Sequence, residues 1–453
     1  MDLYTKFVST ALFPLHEKIK GHSTLDRFRE LEKSQWADRA DIEKFRNSRL
    51  QDFMVGIARD VVFYSDLFRN IGVDPRNIQR PTDLAMLPLL DKATVRANVE
   101  KLKSRNSNGL ARYNTGGSSG EPLVFFIGEA RRSHDVAAKW RATRWWGVDI
   151  GDPEVVVWGS PIELSGQDRV RSLRDALLRS RLLPAFDMSN PMLDKFIEKI
   201  LRWKPRMLFG YPSALSLIAM RAESKGMCLA DCGLRVVFCT SERLYDHQRN
   251  LIQRVFGCPV ANGYGARDAG FIAHECPHGG MHISAEDVIV EIVDTNGAIA
   301  PQGESGEIVV THLATRDFPF VRYRTGDIGV LDHGYCGCGR QLPMLKNIEG
   351  RTTDFVTASD GTVMHGLSLI YVLRDIVEIA SFKIVQESTH RLVVKLVANI
   401  GFNDSVGDKI RRELQGRLGR DVVVEIELVD MIAPEASGKF RYVTSKVPLR
   451  CAD

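Results

Sequence analysis

A glycine- and hydroxyl-rich run offers the densest set of ligand-binding groups in the sequence. It stands just before an apolar stretch at 123–127, and its residues are Thr115, Gly116, Gly117, Ser118, Ser119 and Gly120. Glycines let backbone N–H groups approach a ligand because no Cβ stands in the way, and successive N–H groups with hydroxyls form a concave anion site. The run therefore predicts a phosphate-binding loop. It lacks the Gly-Lys-Ser/Thr of a Walker A loop, and a flexible hairpin loop remains the alternative.

Four shorter motifs each join a glycine to a charged side chain. They occupy residues 263–268, 323–327, 350–354 and 437–441. In the second motif Asp327 follows a glycine, and its carboxylate suits the hydrogen-bond donors of a ribose diol. In the last motif Lys439 could meet a phosphate or an acyl oxygen as a point charge. Taken alone, each motif is more typical of a polar turn or a solvated lysine.

Three of the eight cysteines and one histidine have the composition of a metal site. Cys276 and His282 are six residues apart, and Cys336 and Cys338 are two apart. A Cys₃His set is the donor set of closed, structural zinc sites. The histidines that compete for the fourth position are His278 and His274. Reduced, unrelated thiols are the alternative, and no Cys/His or Ser/His/Asp nucleophile signature is present.

The composition limits the class of protein that these motifs belong to. The chain has 453 residues, a net charge of +4, 26% charged residues and 44% hydrophobic residues. These values are ordinary for a globular protein and exclude wholesale disorder and a strongly basic nucleic-acid binder. The first twenty residues lack a signal-peptide pattern, and no window approaches eighteen apolar residues. We expect a cytoplasmic protein with reduced cysteines and no membrane span.

Alternating strand and helix patterns must position the motifs. Spacings of three and four residues predict an amphipathic helix over 41–70. The predicted strands that follow are 123–127, 155–158, 207–209 and 236–239, and the helices between them are 130–146, 191–203, 212–225 and 245–256. This alternation predicts an α/β domain with a largely parallel sheet. The basic run at 169–181 is interpreted as a solvated helix face, and a contact to an anionic ligand is the alternative.

The last third of the sequence changes to antiparallel and mixed patterns. Runs at 288–293 and 306–311 flank Asn296-Gly297, which predicts a hairpin. Beyond it, a compact α+β module is predicted from strands at 382–386, 391–398 and 422–429 and a helix at 404–418. The turn-like run at 348–351 predicts the joint between a large N-terminal domain, 1–351, and a small C-terminal domain, 352–453.

The order and spacing of the motifs resemble the adenylate-forming superfamily of acyl-CoA synthetases. The Cys/His segments resemble most closely the phenylacetate-CoA ligase branch, including its relatives in capsule and polysaccharide gene clusters. The segments at 87–92 and 210–213 are also similar to that branch, and the resemblance covers roughly residues 85–445. It implies an α/β fold whose large N-terminal domain has mixed sheets flanked by helices and a small barrel-like β part, with a small, mobile α+β C-terminal domain.

The resemblance also implies an activity. The enzyme would use ATP and Mg²⁺ to convert a carboxylic acid into an acyl-adenylate with release of pyrophosphate, and would transfer the acyl group to CoA. An aryl acid is favoured by resemblance alone. Alternatives are transfer to an amine, a hydroxyl or a carrier protein in polysaccharide or secondary-metabolite biosynthesis, nucleotidyl transfer only, or a non-catalytic nucleotide- and zinc-binding interaction protein. A homodimer is also left open.

The roles implied by the resemblance fall on particular positions. The implied ATP-binding residues are Thr115, Gly116, Gly117, Ser118, Ser119, Gly120, Ser241, Glu242, Tyr264, Gly265, Asp327 and Arg351. The implied acyl pocket contains Tyr211, Pro212, Gly263, Tyr264 and Ala266. Lys439, Arg267 and Asp268 are the implied catalytic residues, with Asp268 also a Mg²⁺ ligand. The implied zinc ligands are Cys276, His282, Cys336 and Cys338.

Two positions depart from the motif of the superfamily. The usual Tyr-Gly-x-Thr-Glu is replaced by a segment in which Arg267 stands at the small hydroxyl residue and Asp268 at the glutamate. Arg267 could clamp a phosphate in place of the hydroxyl, or it could crowd the α-phosphate. Asp268 is shorter than glutamate by one methylene group.

Overall fold

The described part of the chain is a mixture of helices and strands. The computed structural model describes residues 2–115, 123–158, 168–185, 188–294, 296–349, 355–374, 376–432 and 442–447. Its helices are α1 (Leu3–Phe7), α2 (Phe13–Ile19), α3 (Thr24–Ser34), α4 (Arg39–Asp60), α5 (Val62–Ile71), α6 (Lys92–Ala97), α7 (Glu129–Arg144), α8 (Asp168–Leu177), α9 (Asn190–Trp203), α10 (Pro212–Ser224), α11 (Asp246–Phe256), α12 (Leu367–Leu373) and α13 (Asp404–Leu418).

The strands follow the predicted alternation closely. They are β1 (Ala111–Asn114), β2 (Val124–Ile127), β3 (Glu154–Trp158), β4 (Ser180–Pro184), β5 (Met207–Gly210), β6 (Val236–Thr240), β7 (Val260–Ala266), β8 (Gly270–Glu275), β9 (Met281–Ile283), β10 (Val288–Val293), β11 (Gly306–His312), β12 (Tyr323–Asp332), β13 (Met344–Glu349), β14 (Phe355–Thr357), β15 (Val363–His365), β16 (Ile379–Ser388), β17 (Arg391–Ala398), β18 (Val423–Leu428) and β19 (Val443–Ser445). The short strand β4 lies outside the predicted set.

One mixed sheet dominates the described residues. Its strand order is β10-β11-β12-β13-β9-β8-β7-β6-β5-β3-β4. Strands β3 to β7 pair in parallel, which confirms the predicted α/β domain. Strands β8 to β13 are antiparallel, including the predicted hairpin of β10 and β11. The antiparallel strands, expected as a barrel-like part, continue this same sheet in the described chain.

Helices cover both faces of the parallel strands. Leu208 of β5 packs with the cores of α9, α10 and α11 on one face, and its neighbour Phe209 packs beside α7 on the other. Successive strand residues point to opposite faces, so a strand that is covered on both sides reads as a continuous apolar run. This explains why the parallel strands were recognisable in the sequence.

The prediction of a single helix over 41–70 was wrong. The segment forms α4 and α5, and Val61 between them has extended backbone with φ −118° and ψ 117°. Val61 pairs instead with Ser104 in an isolated bridge. Met54, Val61 and Phe68 nevertheless belong to one core, so the apolar periodicity continues across the break in the helix. The break occurs where Val61 pairs with Ser104, which lies 43 residues further along the chain.

The C-terminal module has its own sheet and core. Its strand order is β18-β17-β16-β19, and α13 covers it through Ile410, Leu414 and Leu418. The predicted strands and helix of this module are confirmed. The first two residues of the predicted turn-like joint at 348–351 are the end of β13 rather than a turn, and the other two lie outside the described residues, so the domain boundary stays a prediction. Among the described helices, none is both long and apolar enough to span a bilayer.

Candidate nucleotide and acid site

The predicted site segments meet at one edge of the sheet. Gly210 at the end of β5 pairs with Cys239 of β6, and Thr240 at the end of β6 pairs with Gly263 of β7. Ligands of open α/β sheets bind outside the carboxyl ends of parallel strands. The structure therefore brings the segments around residues 211, 241 and 264 to the expected edge.

A hydrogen bond joins the first two of these segments. The hydroxyl of Ser213, in the first turn of α10, donates to Oε2 of Glu242, and the Ser213 N–H lies 3.4 Å from the same oxygen. A carboxylate is stabilised at a helix N-terminus by the unsatisfied N–H groups there. Ser241 beside it has φ +71°, a left-handed conformation that non-glycine residues seldom adopt and that often marks a functional site.

Aromatic packing fixes the predicted acyl-pocket residue Tyr211. Its ring stacks on Trp158 with centroids 4.4 Å apart and an interplanar angle of 23°, and the residue is buried. Pro212 follows as the first residue of α10, where its missing N–H costs no helical hydrogen bond. Both residues thus form a fixed wall behind the edge of the sheet.

The glycines of β7 are required by close contacts. A Cβ on Gly263 would lie 2.7 Å from Cε1 of Phe238, and one on Gly265 would lie 2.4 Å from the carbonyl oxygen of Gly270. Both positions therefore exclude side chains. Gly265 and Ala266 line the cavity at this edge, where small residues leave room for a ligand.

Two crossed tyrosine–aspartate pairs connect the motifs at 263–268 and 323–327. The hydroxyl of Tyr264 lies 3.1 Å from Oδ2 of Asp327 and 3.4 Å from Oγ1 of Thr325. In the opposite sense, the hydroxyl of Tyr323 donates to Oδ2 of Asp268 at 2.5 Å. Each motif therefore supplies one tyrosine and one carboxylate to the other, and we call these the crossed pairs.

The two carboxylates of the crossed pairs differ in their surroundings. Asp268 is 5% exposed, and its other oxygen, Oδ1, accepts from the N–H of Ala269 at 3.1 Å. Both of its oxygens thus have protein donors, and its role as a Mg²⁺ ligand stays a prediction. Asp327 is 9% exposed, and its N–H donates to Oγ1 of Thr325.

A buried arginine that sequence reasoning missed holds the backbone of this segment. Arg131 of α7 is 2% exposed and donates to the carbonyl oxygens of Asp268 at 3.2 Å and Arg267 at 3.4 Å. Its Nε donates to Asp135 at 2.8 Å. Burial alone would raise the pKa of Asp135, but the Arg131 charge and two neighbouring histidines hold it well below its usual range. The i,i+4 spacing of Arg131 and Asp135 was the only signal in the sequence, and it is common to exposed helices.

The exposed Arg267 points toward the predicted phosphate loop. Its Nη1 donates to the carbonyl oxygen of Asn114, the last residue of β1. Thr115 follows, and its N–H and Oγ1 both pair with Leu123 at 3.0 Å, which closes the ends of the loop. The loop itself, residues 116–122, lies outside the described residues, as do Arg351 and Lys439. Their roles stay predictions.

The four predicted zinc ligands converge. The ligand atoms of Cys276, His282, Cys336 and Cys338 all lie within 4.8 Å of one another. Sγ of Cys338 is 3.2 Å from Nε2 of His282, and the two other thiols are 3.5 Å apart. The Nδ1 of His282 lies 3.3 Å from the carbonyl oxygen of Leu342. A hydrogen bond from Nδ1 to that carbonyl leaves the Nε2 lone pair directed at the cysteines, as in metal-binding histidines.

The competing histidines are not members of this set within the described residues. His274 is buried elsewhere, and burial lowers its pKa to about 3. The donor set fits zinc, because three thiolates and one imidazole at tetrahedral distance are the ligands of structural zinc.

A large cavity opens at the edge where the segments meet. Its volume is about 1290 Å³, and Ser241, Gly265, Ala266 and Arg267 line it there. It continues beneath α7 along the face of β3. Ser241 and Gly265 from the predicted ATP site and Ala266 from the predicted acyl pocket thus border one space.

Comparisons with known proteins agree with this geometry. A family model described as AMP-binding enzyme matches residues 181–314, and one described as CapK C-terminal domain matches residues 356–446. Protein CapK of Staphylococcus aureus is 25% identical over 411 residues, with 90% of each chain covered. A phenylacetate-coenzyme A ligase of Thermus thermophilus is 24% identical, with 70% of this chain and 72% of that protein covered.

A solved structure shares the fold. The crystal structure of 2-hydroxyisobutyryl-CoA ligase with 2-HIB-AMP and CoA superimposes with a TM-score of 0.63 at 21% identity, covering 90% of this chain and 91% of that one. The solved structure shows the shared fold, and the sequence matches support an AMP-forming ligase. They confirm the resemblance, predicted from the motifs, to the adenylate-forming superfamily and to its branch with phenylacetate-coenzyme A ligases and CapK.

Removal of one tyrosine hydroxyl from the crossed pairs should lower the free energy of unfolding. Tyr323→Phe leaves the buried carboxylate of Asp268 without its strongest donor, and we expect the free energy of unfolding to fall by about 1–3 kcal/mol in urea titrations. Tyr335 is 71% exposed, and Tyr335→Phe is the matched control with a change within about 0.5 kcal/mol. Equal stability of the two variants would contradict the role given to the buried pair.

Proposed function

We propose that the protein activates a carboxylic acid with ATP and passes the acyl group to CoA. In the first step a carboxylate oxygen attacks the α-phosphorus of ATP, and the bond to pyrophosphate breaks. In the second step the CoA sulfur, having lost its proton, attacks the carbonyl carbon of the acyl-adenylate, and AMP leaves. The similarity to AMP-binding enzymes and to phenylacetate-coenzyme A ligases supports the two steps.

The crossed pairs are the observation that carries the nucleotide part of this proposal. Tyr264 holds Asp327 through Oδ2, beside the segment 240–242 that we assign to the adenine. A carboxylate fixed in this way accepts hydrogen bonds from the two hydroxyls of a ribose. The small residues Gly265 and Ala266 leave the space for the adenylate on the cavity side.

Positive charge is required where two anions meet. The attacking carboxylate and the triphosphate repel each other, and preorganised cations and N–H groups offset that repulsion in the transition state. Arg267 is exposed at the cavity and touches the strand that enters the Thr115 loop, so we propose that it clamps phosphate oxygens. We propose Lys439 for the α-phosphate and the attacking carboxylate, and Arg351 for the nucleotide at the joint.

The proposal predicts isotope exchange between pyrophosphate and ATP that depends on an acid. Asp327→Asn should raise the KM for ATP by at least about tenfold, because charge-assisted hydrogen bonds to the ribose are weakened. Asp332, on the same strand, accepts from the N–H of Gly334, and Asp332→Asn is the matched control with an unchanged KM.

Full exchange activity in Lys439→Ala would remove the role given to that lysine. No exchange with any acid, with ATP binding unchanged in Lys439→Ala, would favour a non-catalytic protein.

A second candidate differs in the acceptor. The match to CapK covers 90% of this chain and includes a C-terminal domain of the CapK type, whereas the matches to phenylacetate-coenzyme A ligases cover 66% to 72% of it. Because the C-terminal domain is of the CapK type, we propose as the second candidate an enzyme that keeps the adenylation and gives the acyl group to an amine, a hydroxyl or a carrier protein. Consumption of the CoA thiol in step with pyrophosphate release would support CoA, and release without thiol loss would support the second candidate.

We propose that the Cys₃His cluster holds a structural zinc ion. The four ligands come from the turn after β8, from β9 and from the segment before β13, so one ion would connect strands that meet at the middle of the sheet. The cluster offers no open position for chemistry, because a Cys₃His set already completes tetrahedral coordination.

Purified protein should contain about one zinc per chain by elemental analysis. Cys276→Ser should lower the content below about half and reduce the unfolding temperature, as should a strong chelator, because metal binding contributes to folding. Cys228 is exposed and outside the cluster, and Cys228→Ser should leave both quantities unchanged. Less than about half an equivalent of zinc in the native protein would count against the site.

A further inference from the structure

The cavity is larger than a small acid requires. Pockets for small ligands usually enclose about 300–1,000 Å³, and this one encloses about 1290 Å³. One end lies at Ser241 and Ala266, where the acid would meet ATP. The remainder extends along β3 and reaches α2 and α8, far from the nucleotide segments.

The middle of the cavity is aromatic. Trp140, Trp158, Phe209 and Phe271 line it, and the rings of Trp158 and Phe209 stack with centroids 6.3 Å apart. Aromatic walls suit the planar or apolar body of a ligand. Lys139 lies over the rings of Trp140 and Phe209, and its charge is paired with Glu154 at 2.8 Å.

Strand β3 borders the cavity along its length, from Trp158 to Glu154. Trp158 and Val156 face the cavity, and Glu154 at the start of the strand faces it too, where it pairs with Lys139 of α7 at 2.8 Å. Four residues of extended strand span roughly 13 Å, so Glu154 lies about that distance along β3 from Trp158.

The far end is cationic. Lys20, Arg132 and Arg174 line it from three different elements, and we call them the distal cationic cluster. Among the described lining residues, the lysines and arginines number eight and the carboxylates four. Burial and the positive charges of Arg174 and Arg132 lower the pKa of Lys20, which shows that the three cations lie within electrostatic reach of one another.

The carboxylates near the cluster are already engaged. Glu17 accepts from the hydroxyl of Thr24 and contacts Nδ1 of His16 and of His22. Asp175 pairs with Arg174, and Glu154 pairs with Lys139. Arg174, from the basic run interpreted as a solvated helix face, has a side chain that is 35% exposed, and it also borders the cavity.

We propose that the acid activated by this enzyme carries a second anionic group, a carboxylate or a phosphate, which the distal cationic cluster binds. The inference rests on the proposed function, since the first carboxylate must lie at the Ala266 and Arg267 end. A substrate of this class has an acid at one end, an apolar or planar body, and a second anion at the other end. Charge-assisted hydrogen bonds at both ends would select it over simple acids.

CoA is the other possible source of an anion for this cluster, because it carries phosphates. The cavity favours the acid, since the cluster and the activation edge border the same space and aromatic rings line the path between them. Experiments without CoA separate the two sources.

The test compares straight-chain acids of rising length, each as a monocarboxylate and as the matching α,ω-dicarboxylate. Binding is measured by equilibrium dialysis without CoA, and pyrophosphate exchange is measured with the same acids. We expect one dicarboxylate to bind at least about tenfold more tightly than its monocarboxylate. Lys20→Met combined with Arg132→Met should reduce that ratio to below about threefold, and Lys20→Arg should keep it. Lys195 is exposed on α9 and does not line the cavity, so Lys195→Met is the control with an unchanged ratio.

The outcomes separate this inference from the proposed function. Equal binding of the two acids at every length would overturn the inference, whatever the activity. Normal acid preference in the double variant, with weakened CoA binding, would also overturn it and would assign the cluster to CoA. A persistent preference for dicarboxylates without exchange would contradict the proposed function and leave the inference standing. Circular dichroism of each variant separates a loss of the dicarboxylate preference from a loss of folding.

Discussion

The crossed pairs are the constraint around which the site is built. A buried carboxylate is costly unless donors surround it, so Asp268 ties the position of Tyr323 to that of the β7–β8 turn. The reverse pair ties Tyr264 to Asp327. Because the two contacts run in opposite directions between the same segments, neither segment can shift along the other without breaking at least one of them. Asp327, the carboxylate that we propose for the ribose, thereby has a fixed distance from the edge of the parallel strands.

Buried arginines hold both sides of this junction. Arg131 fastens the backbone of residues 267 and 268 from α7. On the other side, Arg322 has φ +48° and donates to Glu291 and to the carbonyl oxygen of Leu87 at 2.7 Å. Losing one member of such a buried ion pair costs more than the pair contributes, since the other charge is left unpaired. The unusual backbone of Arg322 is thus held by contacts from two elements, and Leu90 pairs beside it with β12.

Local patterns explain which features the sequence could predict. The helix Asp404–Leu418 and the strand Arg391–Ala398 have clear periods and clear ends, and both were predicted with these bounds. The zinc ligands were predicted from residue types and resemblance, although roughly 60 residues separate the two halves of the set. The break at Val61 and the short edge strand β4 were missed, because pairing partners distant in sequence create them. Arg131 and the distal cationic cluster were missed for the same reason. Their residues look like solvated helix charges until the fold brings other elements against them.

Binding of nucleotides that differ only in the ribose hydroxyls tests the central claim most directly. Calorimetric titration with AMP and with 2′,3′-dideoxy-AMP isolates the contribution of Asp327, since the base and the phosphate are the same. The account predicts that AMP binds at least about tenfold more tightly, and that Asp327→Asn reduces this difference to about twofold or less. Equal affinity of the native protein for the two nucleotides would contradict the assignment of the crossed pairs to the ribose.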